Sequence, residues 1–291
     1  METQESAIQD QTIFDLRILN GPCYPYLENN TAIIVGKRAR IEGWIKLPKR
    51  HQEAQVLRAQ SPSTNARVGL NETLGEKGLR SPTDPHFPET MRIIIENYGE
   101  YNVLINDKIR VVIADLTAIF KQDINSADSW PKMPRANSIS LHAGDTKLKI
   151  IEEKLDTVWS NRIGHIRYID PNAKNLSYYT REVPFHSTRT GQYEDMFPGD
   201  FLVFPAQERV IIPHGKIGIV HSAHNGLTHT SAKFIYAGVD AAVTLEFRAV
   251  SRVSIYPGMR VATITLHDFN GNSDYRSRYD RSKSTIPRAR E

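Results

Sequence analysis

A single cysteine, Cys23, among 291 residues leaves no internal disulfide and no zinc site built on thiolates, and it fits a reducing compartment. No apolar run approaches the roughly 18 residues of a spanning helix, and the opening METQESAIQDQ lacks the basic and apolar regions of a secretory signal. The expectation is a soluble, cytoplasmic protein with no membrane partner. Dense blocks of lysine are missing too. The net charge of +4 and pI near 9.0 suit an anionic ligand, but the cations are dispersed and no nucleic-acid recognition motif is present, so a nucleic-acid partner is not expected. Helical periodicity is scarce, and KLKIIEEKLDTVW, residues 147–159, is the one helix candidate.

What the chain has is short β-branched runs separated by Pro, Gly and Asn: TAIIVG, KIRVVIADL, DFLVFPAQERVIIP, GKIGIV and MRVATITL among them. Runs of this length and spacing indicate an all-β sandwich or barrel. In VTLEFRAV the alternation is clear: Val243, Leu245 and Phe247 face one way, Thr244, Glu246 and Arg248 the other. The length suits about two domains, and SADSWPKMPRANS, residues 126–138, is Pro- and Ser-rich and reads as a linker. The expected division is therefore a first domain at 1–125, a second at 139–270 and a tail at 271–291. The halves also echo one another. YPGMRVATITL follows AAVTLEF in the second as INDKIRVVIADL follows TMRIIIEN in the first, a weak internal repeat of one β unit.

Between two strand-like runs lies SPSTNARVGL, residues 61–70, which packs Ser63, Thr64, Asn65 and Arg67 into one short stretch. A solvated turn accounts for it; an anion-binding loop would use all four groups. PSTNARVGL resembles the Arg-Ser-Ser-Leu-Ala-Arg-Leu-Gly-Leu segment of the dCTP deaminase and dUTPase superfamily. TIFDLRI, residues 12–18, is similar to the Asp-Leu-Arg strand that opens deaminase domains. TDPHFPETMRIIIEN resembles the Ile-Asp-Pro-Gly-Trp/Tyr motif, with Asp84 on its aspartate. In the second half, MFPGDFLVFPAQERVIIP resembles a Pro-Gly-Glu strand pair, and HTSAKFIYAGVDAAVTLEF is similar to the His-Val-Thr-Ala-His-Arg-Ile-Asp-Pro-Gly-Trp segment that ends in Leu-Glu-Phe.

The resemblance implies a mostly β chain of two dUTPase-like (β-clip) distorted β-barrel domains in tandem. It implies a deoxynucleotide substrate and a dCTP deaminase chemistry that needs no zinc. Ser63 and Arg67 fall on the family's catalytic serine and arginine, Ala232 on the alanine whose carbonyl helps hold the attacking water, and Glu246 on the catalytic glutamate. Thr64 and Asn65 of the same loop would bind the substrate, as would Tyr236, which stands where the second motif aspartate is usual. There are departures. Pro62 replaces an arginine, Ile94 occupies the glutamate's place in the first half with Glu96 two residues on, and HSAHNGLT replaces the Ser/Arg loop in the second. Each half is thus incomplete. Since sites in this family form where adjacent units meet, the first half would supply Ser63 and Arg67, and the second Ala232 and Glu246. Assembly of several chains is compatible with this, and fusion would lower the number required.

Metal-free deamination of cytosine needs a carboxylate as base and then acid, its pKa raised by its setting. The resemblance gives that role to Glu246, and gives Arg67 the stabilisation of developing charge or the tuning of Glu246. Mg²⁺ would enter only with the nucleotide triphosphate. DYRSRYDRSKSTIPR resembles the family's nucleotide-covering tail, where Tyr275 and Tyr279 would cover the nucleotide and Arg278, Arg281 and Lys283 would grip phosphates. Read from composition alone, it is an exposed basic terminus. Without the resemblance Glu246 is a charged residue on the wet face of an edge strand, and Asp84 is a turn aspartate before Pro85. Asp84 is otherwise a sugar ligand or the water-activating group of a dUTPase-like pyrophosphatase. A non-catalytic nucleotide-binding relative is the third reading. His221, His224 and His229 have no acidic residue or cysteine among them in HSAHNGLTH, so no metal site is expected there.

Overall fold

The computed structural model describes residues 8–25, 32–47, 57–60, 62–74, 89–106, 109–116, 119, 138–160, 163–173, 176–189, 191–230 and 233–269. The fold is mostly β. Among the described residues 24 strands form seven hydrogen-bonded sheets, and none of these closes into a barrel. The chain divides into two compact units, one built on Met1–Lys132 and Asp156–Ala173, the other on Met133–Leu155 and Lys174–Asp268. Of residues 126–138 only Ser138, which opens the strand Ser138–His142, is described.

The expected helix at 147–159 is not formed. The segment is instead the strand Thr146–Ile150, a 3-10 turn at Glu152–Lys154 and the strand Asp156–Ser160. The reason lies in where its two ends pack. Thr146–Ile150 pairs with Thr180–Pro184 in the second unit, while Asp156–Ser160 forms a hairpin with Gly164–Ile169 that joins the first. Tyr168 and Ile169 pair in parallel with Asn102 and Val103. Ile166 and Tyr168 complete a cluster with Ala32, Ile34 and Leu104. One straight helix could not serve both units.

Within each unit the same strand order recurs. In the first, Ile8–Thr12, Arg110–Asp115 and Leu57–Gln60 form one antiparallel sheet; in the second, Ser138–His142, Arg260–Asp268 and Lys216–Ser222 do so. Arg40–Lys46 and Leu70–Leu74 flank Thr90–Asn97, as Phe201–Ile211 and Leu227–His229 flank Asp240–Ala249. Individual bonds repeat as well. The Asn97 amide bonds the Ala39 carbonyl and the Arg38 amide bonds the Asn97 carbonyl, as Ala249 does with Asp200 and Gly199. Tyr98 bonds the Gly69 carbonyl as Val250 bonds that of Gly226. Arg38 and Gly199, at matching places, share a left-handed backbone, with φ of 61° and 93°. The weak echo in the sequence is a real repeat of hydrogen bonding.

Alternating residues fill the cores. Ile41, Ile93, Ile95, Val111 and Ile113 are fully buried in the first unit. In the second, Phe204 stacks on Phe247 and meets Phe185 edge-on among Leu141, Leu245, Val261 and Ile264. Gly69 is one place where only glycine fits. Its φ is +96° and an added Cβ would lie 2.2 Å from the Gly99 nitrogen. Gly69→Ala is therefore expected to destabilise the first unit by about 2 kcal/mol or more, measured by urea unfolding.

Candidate active site

The repeat allows position-by-position comparison of the two units. With Gly69 matched to Gly226, the registers Asn71↔Glu96, Glu72↔Ile95 and Thr73↔Ile94 correspond to Thr228↔Arg248, His229↔Phe247 and Thr230 opposite Glu246. Backbone bonding thus sets Ile94 against Glu246, in agreement with the sequence motifs. It also sets Glu72 against His229.

Glu246 is not on the wet face of an edge strand. Its strand, Asp240–Ala249, runs between two others, and the residue is 1 % exposed. Thr244, on the same face, is also buried. The Thr230 amide and hydroxyl both donate to the Glu246 carbonyl. His229 Nε2 lies 3.5 Å from Glu246 Oε2, and its ring meets Phe247 edge-on. Neither ring nitrogen of His229 has a hydrogen-bond partner among the described residues. Burial, reinforced by the nearby Lys233 charge, pushes His229 down to about 3, so the imidazole is neutral at pH 7 and the contact is not an ion pair there.

In the first unit the Ser/Arg stretch forms a one-turn helix, Ser63–Arg67, between the strands Leu57–Gln60 and Leu70–Leu74. Nine residues join these strands, against four between Lys216–Ser222 and Leu227–His229; the excess matches the length of the helix. Asn65 and Arg67 are buried and Thr64 is half-buried. Asn65 Nδ2 donates to Glu72 Oε1 and to the Arg110 carbonyl, both at 3.2 Å. Ile94 is buried, and Glu96 instead accepts a bond from the Tyr98 hydroxyl.

Arg67 and Glu246 stand in different units. Tyr236 is buried, edge-on to Phe234. Ala232, Asp84, Tyr275, Arg278, Tyr279, Arg281 and Lys283 lie outside the described residues, as does the side chain of Ser63. The histidines of HSAHNGLTH diverge. His221 bonds the Thr265 hydroxyl, His224 accepts from the Gly226 amide, and His229 packs at Glu246. No group of three or more potential metal ligands occurs among the described residues, and no helix among them is long and apolar enough to cross a membrane. Sequence reasoning missed Glu72 and the pairing of His229 with Glu246. Their only signal was the alternation in LNETL and LTHT, too short to fix a face without its partner strand.

The chain is thus mostly β, with a buried carboxylate on a central strand of the second unit and a one-turn helix that buries Asn65 and Arg67 in the first. A family-level profile of dCTP deaminase-like domains matches residues 122–269, just over half of the chain, and the chain belongs to that family. Among solved structures it is similar to the 2′-deoxycytidine 5′-triphosphate deaminase from Agrobacterium tumefaciens, with a TM-score of 0.59 and 9 % identity over 93 % of this chain and 91 % of that one. At that identity the likeness is one of fold. No curated protein sequence matches the chain.

The second unit also carries a chain of two histidines on one threonine. Thr265 Oγ1 lies 2.9 Å from His221 Nε2 and 3.0 Å from His267 Nε2. Burial lowers His221, and burial, with His221 and Lys216 nearby and against the pull of Asp268, takes His267 to about 4. With His229, three folded-state values fall below the ordinary 6.5. The stability these groups contribute is whole above pH 6.5 and is lost as pH falls, because the unfolded chain then takes up protons that the folded chain refuses. Urea unfolding at pH 7, 6 and 5 should show a steep decline. His229→Phe should remove about 1.4 kcal/mol per pH unit from that slope, while leaving stability at pH 7 unchanged or higher.

Proposed function

We propose that the protein is a deoxycytidine nucleotide deaminase that converts dCTP to dUTP and ammonia without zinc. The observation that supports this best is Glu246, a carboxylate 1 % exposed at the centre of a sheet, where the family's catalytic glutamate falls. Burying a charge-bearing group at such a place is costly for stability alone, and a carboxyl that takes and returns a proton is what the chemistry requires.

In this reading Glu246 removes a proton from water as the water oxygen bonds to C4 of cytosine. The tetrahedral adduct then collapses, the bond from C4 to the exocyclic nitrogen breaks, and the proton returns to the departing nitrogen, which leaves as ammonia. The Ala232 carbonyl and Ser63 orient the water and the amine. Arg67 stabilises the charge that builds on the ring. Ser63, Thr64 and Arg67 come from the first unit and Ala232 and Glu246 from the second, so the site is composite, formed within one chain or between copies. The substrate is the Mg²⁺ complex of the triphosphate, held by Tyr275, Arg278, Tyr279, Arg281 and Lys283 of the tail. A neutral His229 forms no ion pair with the Glu246 carboxylate.

The test is incubation with Mg²⁺ and dCTP, alongside dUTP, dCMP and cytidine, with products resolved by chromatography. Release of dUTP and ammonia is expected, falling by roughly a hundredfold or more in Glu246→Gln. Cleavage of dUTP alone, abolished by Asp84→Asn and indifferent to Glu246→Gln, would point to a pyrophosphatase instead.

A further inference from the structure

The helix that carries Ser63 and Arg67 has little of its own to hold it. Five residues are too few for helical propensity to maintain a fixed geometry, and Pro62 at its N-cap makes no side-chain capping bond. Its C-terminal end is closed by backbone bonds from Val68 to Asn65 and from Gly69 to Ala66. Yet Asn65, Ala66 and Arg67 are all buried.

Asn65 supplies the missing anchor. Its amide nitrogen has two hydrogens and two acceptors, Glu72 Oε1 and the Arg110 carbonyl, each at 3.2 Å. Both acceptors require a donor, which fixes the amide orientation. They also belong to different sheets. Glu72 is on Leu70–Leu74 in a four-stranded sheet, and Arg110 begins Arg110–Asp115 in a three-stranded one. One side chain therefore ties the helix to two of the sheets of the first unit. Glu72 is 1 % exposed and occupies the place that His229 holds in the repeat. The segment that PSTNARVGL resembles has leucine where Asn65 stands, so this chain has replaced an apolar anchor with a directed polar one.

We propose that Glu72 is a positioning residue, which fixes Asn65 and through it the helix that aims Arg67. The proposal rests on the reading of Arg67 as half of a deaminase site. Glu72 itself touches no substrate. It converts a short, weakly capped turn into a rigid mount, so that the cation of Arg67 is already placed when charge develops on the ring.

Two quantities test it: steady-state kinetics with Mg²⁺ and dCTP, and amide hydrogen exchange followed by mass spectrometry. Glu72→Met, of similar size but without an acceptor, should lower kcat roughly tenfold with KM within about twofold. It should also speed exchange across residues 64–69 while leaving the strand Thr90–Asn97 protected. Glu72→Gln keeps an accepting oxygen without the charge and should stay within about threefold of the parent in both. Asn65→Leu combined with Glu72→Met removes the donor and the acceptor of the Asn65–Glu72 bond together, so neither of the two is left facing an unmatched partner, and it guards against simple misfolding; it should reproduce the loss of kcat and protection. Parent-like kcat or protection in Glu72→Met or the double variant would overturn the proposal, as would a Gln variant as poor as Met. If the parent protein itself fails to turn over dCTP, the deaminase reading falls, and exchange at 64–69 alone decides whether Glu72 holds the helix.

Discussion

Each unit depends on a two-bond clasp at the end of its central strand. Ala249 exchanges backbone bonds with Gly199 and Asp200, and Asn97 with Arg38 and Ala39. The clasp sets register, and register decides chemistry, because a slip of one residue in a strand sends every side chain to the opposite face. Moved by one, the strand Asp240–Ala249 would present Leu245 where Glu246 stands. The clasp requires a left-handed residue at its corner. The second unit uses Gly199 there. The first uses Arg38, at the cost of backbone strain that its buried surroundings must offset.

Upon this common frame the two units have diverged at three matched places. Glu246 corresponds to Ile94, His229 to Glu72, and a four-residue loop to a nine-residue one that contains a helix. The first unit has Ile94 where the second has a carboxylate, and it carries a buried carboxylate of its own, Glu72, on the opposite face of the neighbouring strand, bonded to the helix-bearing loop. The second has the buried Glu246 and the shorter loop.

Much of this was legible in the residues. Short β-branched runs specified a β fold, and the motifs placed Ile94 and Glu246 at one position, which the backbone registers repeat. The helix at 147–159 failed because its amphipathic pattern came from two strands serving different units, and a one-dimensional period cannot show where a chain changes allegiance. Glu246 looked exposed for a related reason. Alternation separates two faces but does not say that both are covered, and both neighbours that make its strand a central one, Phe201–Ile211 and Leu227–His229, lie earlier in the chain. Asn65 read as a turn former, and nothing local announced its two partners, 7 and 45 residues away.

The hairpin Asp156–Ile169 has a consequence for how the chain matures. Its strand Gly164–Ile169 adds to the sheet that holds Ile33–Val35 and Asn102–Ile105, so the first unit borrows an element made after the second has begun. On a ribosome, the amino-terminal unit would remain short of a strand, with the Asn102–Ile105 edge open, until more than forty further residues had emerged. Parallel closure across such a separation is slow compared with a local hairpin. The order of synthesis and the order of completion therefore differ, and the unit begun first is not free to finish first.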